Sequence, residues 1–432
     1  MTNRVGPWQA PSPSRTAQAI ERSAWDEAFD IYALADAASP LGTEDLELWA
    51  TAGYLLGRVD SAVLAFQRAF QLHTGSGATN QAVRCGFWAG FILMTQGDMA
   101  QASGWLARAA RLLDEIGEES PEHGYLQIPD AFRHVAVEGD YEAGVPKAAR
   151  IADIGRRHGD ADLVGFALNL HGRCLIRSGQ TVEGLTLLDE AMVAVVSGEL
   201  SPIMAGHVYC SLIEAFEEIS ELRRSQEWTE ALTSWCERQQ GMITFNGTCR
   251  VHRVNILSRR GQWPAAIEEA ERACGWFVGA ADESVTGLAL YRMADVHRFM
   301  GATTAAEDAY RRASEWGHEP QPGLALLRLA QGRVDVASAA LERLLGETDD
   351  AVARLALLGA YVEVALAAGD LAAANKAASE LAHIASVHGT PALGAQADQA
   401  QGAVALASGD AATALGSLRR GHTAWRELDA PY

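Results

Sequence analysis

One phrase of apolar and polar positions recurs along the chain, and it is plainest between Glu283 and Ala313. There Leu290, Met293, Ala294 and His297 fall at i, i+3, i+4 and i+7, the stripe of a helix with one buried face. Gly301 stands where a glycine ends a helix, and Thr303 and Thr304 stand where a hydroxyl can cap the next one. Ala306, Tyr310 and Ala313 carry the stripe on at i, i+4 and i+7. Two such helices around a tight turn cannot bury their apolar faces alone, so the pattern predicts neighbours of the same kind.

The same punctuation supplies those neighbours. Turns are predicted at Gly57, Gly97, Gly139, Gly179, Gly261, Gly301, Gly332, Gly369 and Gly409. Their spacing stays between 31 and 42 residues except for one gap of 82, where a turn without glycine is expected near Ser220-Glu221. Such a period is the signature of a solenoid. Five residues after each turn stands a small residue: Ala62, Ala102, Gly144, Gly184, Ser225, Ala266, Ala306, Ala337, Ala374 and Ala414. A small side chain there lets paired helices approach closely. Ser23 to Ala37, with Ala28, reads as the second helix of a degenerate first unit, which brings the expectation to about eleven hairpins. No stretch reads as a strand. Residues 1–14 are expected to be disordered and residues 15–432 to form one repeat superhelix. Longer loops are expected at Gly117 to Gly124 and Ser197 to Pro202.

Composition narrows the class. At 432 residues the chain exceeds what one globular core usually holds, so several domains or an elongated stack are expected. Fifty-five acidic against 35 basic residues leave a net charge of -20, which repels nucleic acid and anionic membrane. The six cysteines form no Cys-x-x-Cys pair and stand among apolar residues, which reads as reduced core thiols of a cytoplasmic protein. The first residues are polar and rich in Pro and Ser, unlike a signal peptide. The longest apolar run, near Leu355 to Ala368, is interrupted by Glu363 and reads as too short to span a bilayer.

The hairpin pattern resembles tetratricopeptide-like (TPR-like) repeats. Its longer unit resembles the version found in large LuxR-type transcription regulators. The residues that carry this second resemblance are PEHGYLQIPDA from Pro121, the stretch Leu187 to Ala215, EWTEALTSWCERQ from Glu227, FNGTCRVHR from Phe245, PGLALLRLAQGR from Pro322 and AWRELDAPY ending at Tyr432. The resemblance implies an all-α, right-handed superhelical solenoid that senses an effector and interacts with proteins. It also implies a helix-turn-helix domain after Tyr432, so that this chain is expected to be the sensor segment alone and not to bind DNA directly.

Signatures of chemistry are absent: no phosphate-binding Gly-x-x-x-x-Gly-Lys-Ser/Thr, no His-Glu-x-x-His, no Gly-x-Ser-x-Gly. Neither an enzyme nor a metal or cofactor site is expected. His252, His383 and His388 are scattered histidines without converging ligands. Trp88, Trp105, Trp228, Trp235 and Trp263 read as helix packing. In the resembling repeats the inward position lies eleven residues before the small residue. That column here holds Phe91, Arg133, Arg173, Glu214, Asn255, Asp295, Leu326 and Glu363. Adjoining positions hold Arg84, Phe87, Phe166, Asn169, His207, Tyr291 and Arg298. The candidate ligand-binding set is therefore Arg133, Arg173, Glu214, Asn255, Asp295, Tyr291, Arg298, Asn169, His207 and Phe87. Charges of both signs beside aromatic rings suit a small-molecule effector. The alternatives are a free-standing scaffold holding a peptide or protein in the groove, and an inner wall that is merely hydrated and internally ion-paired. No membrane partner is expected, and a homodimer stays open.

Overall fold

The structure, a computed structural model, describes residues 13–115, 118–277 and 283–430. Twenty-three α-helices and one π-helical turn are found there, paired into eleven hairpins. The first three are α1–α2 (Pro13–Glu21, Trp25–Ala38), α3–α4 (Thr43–Leu55, Val59–Ser76) and α5–α6 (Thr79–Thr95, Met99–Leu113). The fourth has a broken first arm, α7 (Pro121–Tyr125), α8 (Ile128–Arg133) and a π-helical turn (His134–Glu138), followed by α9 (Tyr141–His158). Next come α10–α11 (Ala161–Arg177, Thr181–Val196), α12–α13 (Pro202–Glu218, Leu222–Arg238) and α14–α15 (Asn246–Arg259, Trp263–Phe277). The last four are α16–α17 (Glu283–Phe299, Thr303–Glu315), α18–α19 (Gly323–Ala330, Val334–Glu347), α20–α21 (Ala351–Ala368, Leu371–His388) and α22–α23 (Pro391–Ala407, Ala411–Glu427). The all-α repeat architecture expected from the sequence is thus observed. Of the segment expected to be disordered, residues 1–12 lie outside the described residues, while Pro13 and Ser14 already belong to α1. Of the loop expected at 117–124, residue 117 lies outside the described residues and residues 121–124 already belong to α7, started by Ser120 capped against His123.

The turns explain the punctuation. All nine glycines take positive φ, between 65° and 83°, the region that costs a residue with a Cβ roughly 1–2 kcal/mol. Ser220 supplies the turn without glycine at φ 53°, and Ser23 does the same between α1 and α2. Where aspartate follows the glycine it caps the next helix: Asp98, Asp140, Asp370 and Asp410 each accept a hydrogen bond from the backbone N–H three residues on. The threonine cap expected in the eighth hairpin does not form. Ala302 occupies the cap position, and the Thr303 hydroxyl donates back to the Gly301 carbonyl.

The small residues after each turn are all buried. At Gly184 an added Cβ would stand 2.6 Å from the Gly172 carbonyl oxygen, so α10 and α11 touch backbone to backbone. Of the tryptophans, Trp88 and Trp235 are buried, and Trp105, Trp228 and Trp263 pack half-buried against the core. Cys85, Cys174, Cys236 and Cys249 are buried, and Cys210 and Cys274 half-buried.

The stack winds back onto itself about every five hairpins. Near the start, the Trp25 N–H donates to the Gln240 carbonyl (3.2 Å), the Gln240 N–H to Ser23 (2.9 Å) and the Ile243 N–H to Leu55 (2.8 Å). These bonds join the first two hairpins to the segment after α13. Further on, Thr181 meets His388 (2.9 Å), the Thr390 hydroxyl donates to the Ile219 carbonyl (2.8 Å) and Arg177 pairs with Asp350 (2.8 Å). At the end, Arg223 donates to the Glu427 carbonyl (3.1 Å). Successive turns are therefore fastened together, and the first helices of hairpins three to eight line cavities in the lumen.

One sequence reading needs correction. The apolar run near Leu355 belongs to α20, eighteen residues long and apolar enough to cross a membrane by length and composition. Its burial in the stack accounts for that composition. Leu355, Leu358 and Val362 belong to the main core with Ala374 and Leu381, while Leu357, Ala360 and Val364 pack with Ala325 and Leu341. Packing on two sides accounts for its leucines and valines, while Glu363 and several alanines stay exposed and Arg354 pairs with Glu380.

Candidate functional site

The first helices of hairpins three to six line a cavity of about 380 Å³ in the lumen. Phe91 and Thr95 come from α5, Phe166, Asn169, Arg173 and Arg177 from α10, and His207, Ser211, Glu214 and Glu218 from α12. Phe132, Val135 and Tyr141 close it from the fourth hairpin. One side is thus aromatic and the other polar.

The polar side is a single hydrogen-bonded lattice between α10 and α12. Arg173 donates to the Ser211 carbonyl (3.0 Å), the Ser211 hydroxyl (2.9 Å), Glu214 (3.2 Å) and Glu218 (2.9 Å). Burial alone would lower the Arg173 pKa, and Glu218 and Glu214 more than offset it, so the guanidinium stays charged. Arg177 bridges Glu218 (3.0 Å) and Asp350, and lies over the Tyr141 ring. Asn169 is buried. Its amide nitrogen donates to Ser211 (2.9 Å), while its side-chain oxygen has no hydrogen-bond partner among the described residues. His207 is held by the Tyr54 hydroxyl (3.0 Å) and packs edge-on to Phe91 and Phe245. Burial pulls its pKa down to about 4, so the imidazole is neutral at neutral pH.

A second cavity, about 220 Å³, opens between α14 and α16. Val254, Asn255, Ser258 and Arg259 line one side and Arg292, Asp295 and Phe299 the other. Behind it Glu217 accepts from His252 (3.1 Å) and Arg292 (3.4 Å).

The ten residues singled out in the sequence therefore separate into groups. Arg173, Glu214, Asn169 and His207 share the first cavity, and Asn255 and Asp295 share the second. Arg298 stands beside the second cavity without lining it, bonded to Asp295 (3.2 Å) and the Tyr310 hydroxyl (3.3 Å). Tyr291 is buried against Tyr310 and His318. Phe87 is fully buried and belongs to the core, where it backs the wall residue Phe91 and touches Tyr125. Arg133 is outside the lumen lining, half-exposed and paired with Asp130 (2.7 Å) and Glu138. The π-helical turn explains the miss: it inserts one residue between Arg133 and the following turn, which rotates Phe132 and Val135 into the lumen instead.

Sequence reasoning missed Arg177, Glu218, Arg259 and Phe299. Each lies four residues after a member of the inward column: Arg173, Glu214, Asn255 and Asp295. A step of one helical turn along the same face reaches all four. Among metal-ligand types, Glu47, His73 and Cys85 bring one donor atom each within 4.8 Å, with His73 2.7 Å from Glu47. A structural zinc site takes four protein ligands, and this trio offers three.

No protein-family profile and no curated protein sequence matches the chain. Solved structures do resemble it. Rap protein complexed with competence and sporulation factor aligns at TM-score 0.58 and 14% identity, over 81% of this chain and 99% of that one. The human IFIT1 dimer with PPP-AAAA aligns at 0.45 and 13%, over 93% and 94% of the two chains. Yeast Tom70 aligns at 0.38 and 10%, over 96% and 92%. The fold is a TPR-like helical repeat. These likenesses carry nothing about LuxR-type regulators.

Proposed function

We propose that the chain is a binding module that takes a segment of a peptide or protein partner into the first cavity of its concave wall. The observation that carries this reading is Asn169, a buried side chain on the cavity wall whose oxygen lacks a hydrogen-bond donor. A buried polar atom left unpaired costs about 1–3 kcal/mol, and an entering segment that parts the wall at Asn169 and offers a backbone N–H would recover it. Beside it Phe132 is 39% exposed, an apolar ring for a partner side chain to cover. The similar Rap structure holds a bound factor on the same kind of scaffold, which supports a partner here. In this reading the chain is not an enzyme, and it works in the cytoplasm with its thiols reduced.

A second reading rests on the phrases around Pro121, Leu187, Glu227 and Ala424: the sensor segment of a LuxR-type regulator, with a small molecule in the same cavity. Its volume lies within the roughly 300–1,000 Å³ of small-molecule sites. Selection from a displayed peptide library, followed by fluorescence anisotropy with the winning peptides, separates the two. The partner reading expects saturable peptide binding that Phe132→Asp weakens roughly tenfold or more, as a charge facing an apolar contact should. Failure to select any peptide, or equal affinity of the variant, overturns it. A thermal-shift screen with metabolites addresses the second reading, since a ligand for the folded form raises the melting temperature.

A further inference from the structure

The second cavity has a charge pattern that the first does not. In the first, Arg173 and Arg177 are answered by Glu214 and Glu218. In the second, Arg259 and Arg292 share the lining with a single carboxylate, Asp295. That carboxylate is already engaged from the side, accepting from the Tyr310 hydroxyl at 2.6 Å and from Arg298 at 3.2 Å. Arg292 reaches Glu217 at 3.4 Å, but Glu217 also serves His252 at 3.1 Å, and the Arg292 Nε is buried without an acceptor among the described residues. Arg259 makes no ion pair among the described residues; its Nε donates to the Asn255 side-chain oxygen at 3.2 Å. Burial, and then repulsion from Arg292, pull the Arg259 pKa below the ordinary arginine value, with Glu217 offsetting part. In a chain of net charge -20, two guanidinium groups thus face one cavity with too little negative charge to answer them.

We propose that this second cavity is an oxyanion site, in which Arg259 and Arg292 clamp a phosphate or carboxylate group of a ligand. Guanidinium groups present paired N–H donors that match the two oxygens of such a group. Asn255 and Ser258 stand beside them as further hydrogen-bonding groups, and Val254 and Phe299 offer an apolar floor for the rest of the ligand. The lining comes from α14 and α16 and shares no residue with the wall that carries the partner reading, so anion binding here and peptide binding there are separate measurements.

Isothermal titration with inorganic phosphate in one arm and succinate in the other, in a buffer free of other oxyanions, tests the site on the whole chain. Saturable binding of either anion supports it, and the arm that binds names the source. Arg259→Met should weaken binding roughly tenfold or more, the scale of a lost charged hydrogen bond. It should leave the urea midpoint unchanged or higher, because it also removes the repulsion from Arg292. Arg259→Lys keeps the charge but loses the paired donors and should bind more weakly than wild type. Neither anion binding at millimolar concentration, Arg259→Lys binding as tightly as wild type, or a lowered midpoint in Arg259→Met would each overturn the proposal, the last by making the guanidinium a structural group.

Discussion

Arg173 answers to Ser211, Glu214 and Glu218 at once, and that changes what its loss should do. Truncating it removes those hydrogen bonds, while Glu218 keeps Arg177 and Glu214 is half-exposed, so Arg173→Ala should cost about 1–3 kcal/mol of stability, read as a lower urea midpoint. Phe132→Asp is the better probe of partner binding, because Phe132 holds nothing else in place by hydrogen bonds. His207 gives a pH test. Its folded pKa of about 4 lies below the ordinary 6.5, so the unfolded chain binds the proton first. Its contribution is complete above pH 6.5 and is lost as pH falls toward 4. The Glu217 carboxyl adds a loss at lower pH: burial raises it, His252 and Arg292 more than reverse that, and it settles at about 2 instead of 4.5. Urea midpoints measured between pH 7 and 4 should fall for wild type and fall less for His207→Gln. Equal slopes would show that His207 does not titrate as placed. At this scale the sequence was readable where helices are regular, as at Arg173 and Asn255, and unreadable at Arg133, because a π-helical turn leaves no periodicity to count.

Hairpins are the level at which the sequence spoke most clearly. Glycine at a left-handed turn and a small residue five positions on follow from backbone sterics and close helix approach, so both show in the letters themselves. Ser220 could be placed as a turn only because the period demanded one. The caps were partly hidden: aspartate after glycine does cap, but in the eighth hairpin Ala302 takes the position expected of threonine. Ala306 is fully buried between α16 and α17, and Ala306→Leu should cost about 1–3 kcal/mol by overpacking, read as a lower urea midpoint. Gly184→Ala should also destabilise, since its new methyl would meet the Gly172 carbonyl. An unchanged midpoint in both variants would mean that the paired helices do not approach as closely as the fold requires.

The bonds from turn to turn were not legible at all. Thr181 with His388, and Trp25 with Gln240, lie more than two hundred positions apart, and no local pattern announces them. They fasten the superhelix, so a partner entering the lumen meets a wall whose pitch is held rather than a loose spring. Net charge acts on the same scale: at -20 the chain should show no sub-micromolar binding of duplex DNA at physiological salt in a mobility-shift titration. The concave first cavity is the central claim, and hydrogen–deuterium exchange with a library-selected peptide tests it most directly. Protection on binding should concentrate in α5, α10 and α12, which line the cavity. Protection confined to their outward partners α6, α11 and α13 would contradict the account.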